Sequence, residues 1–202
     1  MLFWFGKNKV PIMGEKILII SDIHFELSPA EYDILKQKFT QVWLLGDVPR
    51  YVLELVDKIN CVKLGVLGNH DSNVLFDNLS ILNMHKQSTK VNNLTIAGIE
   101  GSSKYKKNSQ YVMLTQEESQ EVAKKLPIAD VLLSHDSMYH KHSKELNKEG
   151  LQGITDFIQE KHPILHVYGH HHEFCIYKHQ KTLCICNYRL GVIEPNGEYH
   201  QC

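Results

Sequence analysis

Val62-Lys63-Leu64-Gly65-Val66-Leu67-Gly68-Asn69-His70-Asp71 is a largely apolar run that stops at a glycine followed by three polar side chains. The part from Val62 to Leu67 reads as a buried strand, so its end sets Asn69, His70 and Asp71 at the rim of a sheet. In open α/β sheets that rim is where ligands bind.

The pattern recurs along the chain. Lys16-Ile17-Leu18-Ile19-Ile20-Ser21 runs into Asp22-Ile23-His24, and Gln41-Val42-Trp43-Leu44-Leu45 runs into Gly46-Asp47. Later, Ala129-Asp130-Val131-Leu132-Leu133-Ser134 ends at His135, and Pro163-Ile164-Leu165-His166-Val167-Tyr168 ends at Gly169-His170-His171-His172. These strand ends deliver Asp, His and Asn to one edge.

Helices are expected between the strands. Ser28-Pro29-Ala30-Glu31 matches a capping box with proline at the first helical position, and Val52, Leu55, Val56 and Ile59 form an apolar stripe at helical spacing. The β-α-β-α-β order with continuously apolar strands indicates a largely parallel sheet covered on its faces, an α/β protein. Val91-Asn92-Asn93-Leu94 predicts a hairpin turn, and the polar stretch Gly101 to Gln110 a loop. Thr115-Gln116-Glu117-Glu118 is a second capping box, opening a helix that must stop near Pro127. Leu151, Ile154, Phe157 and Ile158 mark another amphipathic helix, and the segment from Phe174 to Tyr199 reads as antiparallel strands.

At 202 residues and 43% hydrophobic content the chain can bury one sizeable core, so a single domain over residues 1–202 is expected. Its 22 basic and 23 acidic residues nearly cancel, which removes any general attraction to nucleic acid or to a membrane surface. No apolar run approaches the roughly 18 residues of a membrane span. The opening Met1-Leu2-Phe3-Trp4-Phe5 lacks the features of a signal peptide and is read as a tail docking on its own domain. Five irregularly spaced cysteines do not suggest a disulfide framework, and a cytoplasmic location is expected. Cys175, Cys184 and Cys186 are read as reduced core thiols rather than as a zinc site.

The strand-end residues collected together are Asp22, His24, Asp47, Asn69, His135, His170 and His172. Seven nitrogen and oxygen donors without thiolate suit two divalent ions such as Mn, Fe, Zn or Co. Two ions roughly 3.5–4 Å apart share a ligand, and Asp47, alone after its strand, is the natural bridge. Two carboxylates against two divalent ions leave net positive charge, which attracts phosphate oxygens, and water bound there ionises near neutral pH to supply a nucleophile for attack on phosphorus. His70, beside Asn69 but outside the ligand set, is placed to protonate a leaving oxygen or stabilise charge on the phosphoryl group. Each of these residues alone would be an ordinary cap or turn residue. Caps and turns do not require the whole set at consecutive strand ends.

Asp22-x-His24, Gly46-Asp47, Gly68-Asn69-His70-Asp71, His135 and Gly169-His170-x-His172 together resemble the calcineurin-like metallophosphoesterase superfamily, over Ile17 to His172. The resemblance implies a four-layer α-β-β-α sandwich with two mixed β-sheets. It also implies Asp22, His24, Asp47 and His172 around one ion and Asp47, Asn69, His135 and His170 around the other, with His70 as the catalytic histidine. The cofactors expected are two divalent ions, manganese first, with Fe, Zn, Co or Ni as alternatives. Arg50 stands where many members carry Gly-Asp-x-x-Arg, and is read either as a phosphate contact or as an exposed helix-start residue.

Protein serine/threonine phosphatases of the superfamily carry Gly-Asp-x-Val-Asp-Arg-Gly and Gly-Asn-His-Glu, whereas this chain has Gly-Asp-Val-Pro-Arg and Gly-Asn-His-Asp. A short chain of this kind looks more like the small phosphodiesterase-type members. Hydrolysis of a phosphodiester by a metal-bridging hydroxide is therefore expected, on a small phosphorylated substrate such as a nucleotide. A phosphomonoesterase is the alternative, and a protein-binding scaffold, like a retromer subunit of the superfamily, is a third reading that the intact ligand set opposes. Lys104-Tyr105-Lys106-Lys107 is either a solvated charge run or a rim contact in which Lys106 and its neighbours attract anionic substrate.

Overall fold

In the computed structural model, which describes residues 9–106, 112–140 and 148–202, the chain forms a four-layer α-β-β-α sandwich. The elements in order are β1 (Ile17–Ser21), α1 (Pro29–Leu35), β2 (Gln41–Leu44), α2 (Arg50–Asp57), β3 (Val62–Gly65), β4 (Leu82–Asn83), β5 (Ser88–Val91), β6 (Leu94–Ile99), β7 (Ser102–Ser103) and β8 (Met113–Leu114). There follow α3 (Gln116–Lys125), β9 (Val131–Ser134), α4 (Gln152–Lys161), β10 (Leu165–Tyr168), β11 (Cys175–His179), β12 (Thr182–Cys186), β13 (Arg189–Ile193) and β14 (Tyr199–Gln201).

One sheet has the order β14-β13-β1-β2-β3-β4, parallel from β1 to β4 and antiparallel at β13 and β14. The other has the order β11-β12-β10-β9-β6-β5, parallel from β12 to β6 with antiparallel edges. Strand alternation decides the layers, because successive side chains point to opposite faces. Ile17, Ile19, Trp43 and Leu64 of the first sheet meet Val131, Leu133, Leu165 and Val167 of the second in the central core. Leu18, Ile20, Val42 and Leu44 point the other way, onto Val52, Leu53 and Val56 of α2. On the far side Leu132 and Ala97 pack against Val122, Ile154, Phe157 and Ile158 of α3 and α4. A strand buried on both faces favours apolar residues at nearly every position, which is why these segments read as almost continuous apolar runs, with Gln41, Lys63 and His166 as buried polar exceptions.

Local signals fix the element ends. The Ser28 and Thr115 side chains accept from the backbone N–H of Glu31 and Glu118, and each glutamate reaches back to the cap N–H, so both predicted capping boxes form. Asn92, with φ of 52°, turns β5 into β6 with Val91 opposite Leu94.

Three expectations change. The strand expected from Val62 to Leu67 stops at Gly65, and Val62, its first residue, is exposed. Within the segment expected to be a loop, Ser102–Ser103 pairs with Met113–Leu114 as a short parallel ribbon. In the Phe174–Tyr199 segment β12 is antiparallel to β11 but parallel to β10, so it extends the second sheet rather than starting an antiparallel layer. The cysteines are free, with Cys184 and Cys186 in the core as expected. The aromatic opening and Lys107 lie outside the described residues. No helix among the described residues is long and apolar enough to cross a membrane.

The core carries a pH liability. His166 on β10 is fully buried, stacks on Tyr168 and meets Ser134 Oγ at 2.8 Å through Nε2, and burial depresses its pKa to about 3. Because the folded state resists a proton that the unfolded chain accepts near pH 6.5, stability falls as pH drops from about 6.5 toward 3, by on the order of 4 kcal/mol at the lower limit. His85, depressed by burial to about 4, adds to the same slope. The thermal midpoint of the metal-free protein is expected to fall through this window, and His166→Phe to make the slope shallower; an unchanged slope in that variant would remove His166 from the account.

Candidate metal centre

The C-terminal ends of β1, β2 and β3 in one sheet face those of β9 and β10 in the other, and the chain turns sharply after each. Four residues at these turns hold left-handed backbone without being glycine: Asp22 (φ 54°), Asp47 (φ 53°), His170 (φ 68°) and His172 (φ 54°). Such conformations cost of order 1–3 kcal/mol each and gather where function holds them in place. The turns are also packed backbone to backbone. A Cβ on Gly68 would fall 2.1 Å from Asp47 Oδ1, and one on Gly46 would fall 2.2 Å from the nitrogen of Gly68. Glycine precedes Asp47 and Asn69 because nothing larger lets the two turns approach.

Hydrogen bonds between the turns, one of them across the sandwich, then aim the side chains. The His170 N–H donates to Asp22 Oδ2 at 2.9 Å, and the His70 N–H donates to Asp47 Oδ1 at 2.9 Å. Each carboxylate thus has one oxygen tied to backbone. The other oxygens, Asp22 Oδ1 and Asp47 Oδ2, are buried with no hydrogen-bond partner among the described residues. Asp22 Oδ1 lies 3.5 Å from His172 Nε2, and Asp47 Oδ2 lies 3.6 Å from His135 Nε2. His135 Nδ1 sits 2.7 Å from the Leu45 carbonyl, a contact that requires a proton on Nδ1 and points Nε2 at Asn69 Oδ1, 2.9 Å away. Backbone anchoring of one ring nitrogen is how metal-binding histidines are commonly held. The nitrogens His24 Nε2 and His172 Nε2 are 3.0 Å apart. Two nitrogens each about 2.1 Å from one ion at a right angle would be about 3.0 Å apart.

The electrostatics agree. Burial pushes the Asp22 carboxyl up, but His172, His135 and the His170 N–H outweigh it and hold the group below the ordinary value, so it is ionised. Burial opposes a charge on His135, while the carboxylates of Asp47 and Asp22 pull its pKa up. Burial and the neighbouring His172 lower the pKa of His24, favouring the neutral ring that can ligate. Two groups of side chains present atoms within 4.8 Å of one another: Asp22 with His24 and His172, and Asp22 with Asp47 and His135. Asp22 belongs to both groups, whereas Asp47 belongs to the second alone. Orphaned carboxylate oxygens among convergent histidine nitrogens fit divalent cations, since no other described group hydrogen-bonds to them.

A model of the calcineurin-like phosphoesterase superfamily domain matches residues 16–187, from the start of β1 to just past β12. The chain belongs to this superfamily. The phosphoesterase fold is shared with the protein TT1561 of Thermus thermophilus, at 13% identity over 94% of this chain and 99% of that one, with a TM-score of 0.67. Phosphopantetheinyl hydrolase from Mycobacterium tuberculosis aligns at 12% identity over 88% and 91% of the two chains, with a TM-score of 0.62. An archaeal phosphodiesterase aligns at 17% identity over 92% and 97%, with a TM-score of 0.56. At such identities the likeness is one of fold. No curated protein matches the chain significantly in sequence.

In this member of the superfamily all seven ligand candidates lie at strand ends on the one edge, and His70 is exposed beside them. Asp71 Oδ2 accepts from the N–H groups of Gly68 and Asp47 at 2.7 and 2.9 Å, so it joins the two glycine turns and positions His70 through the backbone. Burial and the neighbouring Asp47 raise its pKa to about 6. Arg50 donates to the carbonyls of Leu75 and Asp77 and pairs with Glu54, the bonding of a helix-start residue that anchors the following loop. Lys104 and Lys106 are exposed, and the Lys106 ammonium lies 5.2 Å from the centre of the Tyr105 ring. Sequence reasoning passed over Tyr188, which stacks on His172 with ring centres 5.6 Å apart. The signal was present, for Tyr188 follows β12 as the ligands follow their strands.

Proposed function

We propose that the protein is a two-metal phosphodiesterase, with Asp22, His24, Asp47 and His172 holding one divalent ion and Asp47, Asn69, His135 and His170 the other. The observation that carries this reading is the pair of buried, unpartnered carboxylate oxygens on Asp22 and Asp47, each turned toward a histidine Nε2. When bound, such ions polarise phosphoryl oxygens and supply a nucleophile at neutral pH. The chain's own contribution is to hold the donors rigid before substrate arrives, through the backbone bonds to Asp22, Asp47 and His135. His70 faces the open side of the centre, where it can give a proton to the leaving oxygen or offset charge on the phosphoryl group. A diester is preferred because the edge is open, with no second element among the described residues closing over His24, His70 and His172, all exposed.

The test is a reconstitution with manganese followed by assay on bis-aryl phosphate, aryl phosphate, and 2′,3′- and 3′,5′-cyclic nucleotides. Close to two metals per chain and hydrolysis confined to diesters are expected. A stoichiometry of one that persists with excess manganese overturns the two-metal centre. Turnover of the monoester alone makes the protein a phosphomonoesterase, and silence on every substrate with every metal makes it a scaffold.

A further inference from the structure

His171 is the middle histidine of Gly169-His170-His171-His172, and the ligand set uses only the histidines on either side of it. Both neighbours hold left-handed backbone, with φ of 68° at His170 and 54° at His172. Strained residues of this kind persist only where their surroundings over-determine them. The turn after β10 is tied to the turn after β9 at one backbone point, the Gly169 N–H donating to the His135 carbonyl at 3.0 Å. A single hydrogen bond leaves two turns free to swing about it. His135 and His170, one on each turn, have ring centres 4.9 Å apart and are candidates for one shared ion.

The His171 ring supplies a second tie. Its side chain is 15% exposed, and its Nε2 lies 3.0 Å from Ser137 Oγ and 3.8 Å from Asp136 Oδ1. The Ser137 hydroxyl donates to the Met138 carbonyl at 3.1 Å, so Nε2 faces a hydroxyl oxygen and a carboxyl oxygen and carries the ring proton. Asp136 is fixed in turn. It is fully buried, its Oδ1 accepts from the Ser137 N–H at 2.8 Å, and its Oδ2 accepts from the Ser103 N–H of β7 at 3.0 Å. Its carbonyl accepts from Ser134 Oγ, on the last residue of β9, at 2.6 Å. Tyr168 meets His171 edge-on with ring centres 5.9 Å apart, a contact that packs the imidazole without using its nitrogens.

We propose that His171 is a positioning residue of the metal centre, which through Ser137 and Asp136 sets the spacing between the ligands after β9 and those after β10. This rests on the two-metal reading and adds how the chain holds its donors in place. Removing a group that orients metal ligands costs about 10- to 100-fold in metal affinity.

Titration of the full chain with manganese, read from the paramagnetic resonance of the free ion, measures affinity without any substrate. His171→Phe keeps a ring beside Tyr168 and removes the donor, and it is expected to weaken manganese binding about 10- to 100-fold. His171→Gln, whose amide nitrogen can stand in for Nε2, is expected to recover most of the loss. Ser137→Ala leaves the ligand-bearing turn after β10 untouched and cuts the same link from the other side, so it is expected to weaken binding as well. The double variant should bind no more weakly than His171→Phe alone, because one link cannot be cut twice. Unchanged affinity in His171→Phe or in Ser137→Ala, an equal loss in His171→Phe and His171→Gln, or additive losses in the double variant overturns the role given to His171. Two ions bound by the unaltered protein leave the two-metal reading standing in each of those cases. Fewer than two ions bound by the unaltered protein in excess manganese overturns that reading, and the role of His171 with it.

Discussion

Asp47→Asn is expected to lower kcat/KM by roughly 10³-fold or more, because it removes the charge shared by both proposed ions. The amide has the shape of the carboxylate and keeps an oxygen for the His70 N–H, so the turn after β2 should hold. Its effect on stability has the opposite sign. In the metal-free protein Asp47 Oδ2 is a buried carboxyl oxygen with no hydrogen-bond partner among the described residues, and burial of such an atom is costly. Replacing it with an amide is expected to leave the metal-free thermal midpoint unchanged or to raise it, while the stabilisation normally conferred by manganese, which follows from binding to the folded state alone, is largely lost. Calorimetric melting with and without manganese, together with elemental analysis, reads both effects. Two metals per chain in the variant, or a full manganese-induced shift in its midpoint, would contradict the role given to Asp47.

That opposition between stability and binding is visible in the strands as well. β1, β2, β9 and β10 are buried and mostly apolar, and within three residues of their ends the chain reaches Asp22, Asp47, His135 and His170; it was this abrupt change that made the centre legible in the sequence. A strand buried on both faces writes its layers into its residue types, so the two sheets and the helices over them could be read from Ile17–Ser21, Val131–Ser134 and the capping boxes at Ser28 and Thr115. Pairing partners could not. That β12 lies parallel to β10 follows from a connection through β11, and no local pattern in Thr182–Cys186 distinguishes it from a strand in a simple hairpin. The left-handed backbone at Asp22, Asp47, His170 and His172 was equally hidden, since aspartate and histidine enter that region more readily than most residues but still in only a small minority of places. Arg50 illustrates the limit of spacing: its position suits a phosphate contact, yet its guanidinium is engaged by Glu54 and by the carbonyls of Leu75 and Asp77, far along the chain.

His70→Ala is expected to keep both metals and to lose roughly 10²–10⁴-fold in kcat, the usual contribution of a positioned acid or base. The imidazole is exposed, and the His70 N–H, which the substitution keeps, donates to Asp47 Oδ1, so the turn should survive the loss of the ring. The two roles open to His70 differ in how they respond to the leaving group. If it donates a proton to the departing oxygen, the loss should be large for an alkyl alkoxide and nearly absent for 4-nitrophenolate, which leaves without protonation. If it offsets charge on the phosphoryl oxygens, the loss should be similar for both, because that charge develops whichever group departs. A series of diesters with leaving groups of graded acidity therefore separates the two, and the exposed position of the ring, on the side of the centre open to substrate, favours the first. Unchanged kcat across the whole series would take His70 out of the chemistry altogether.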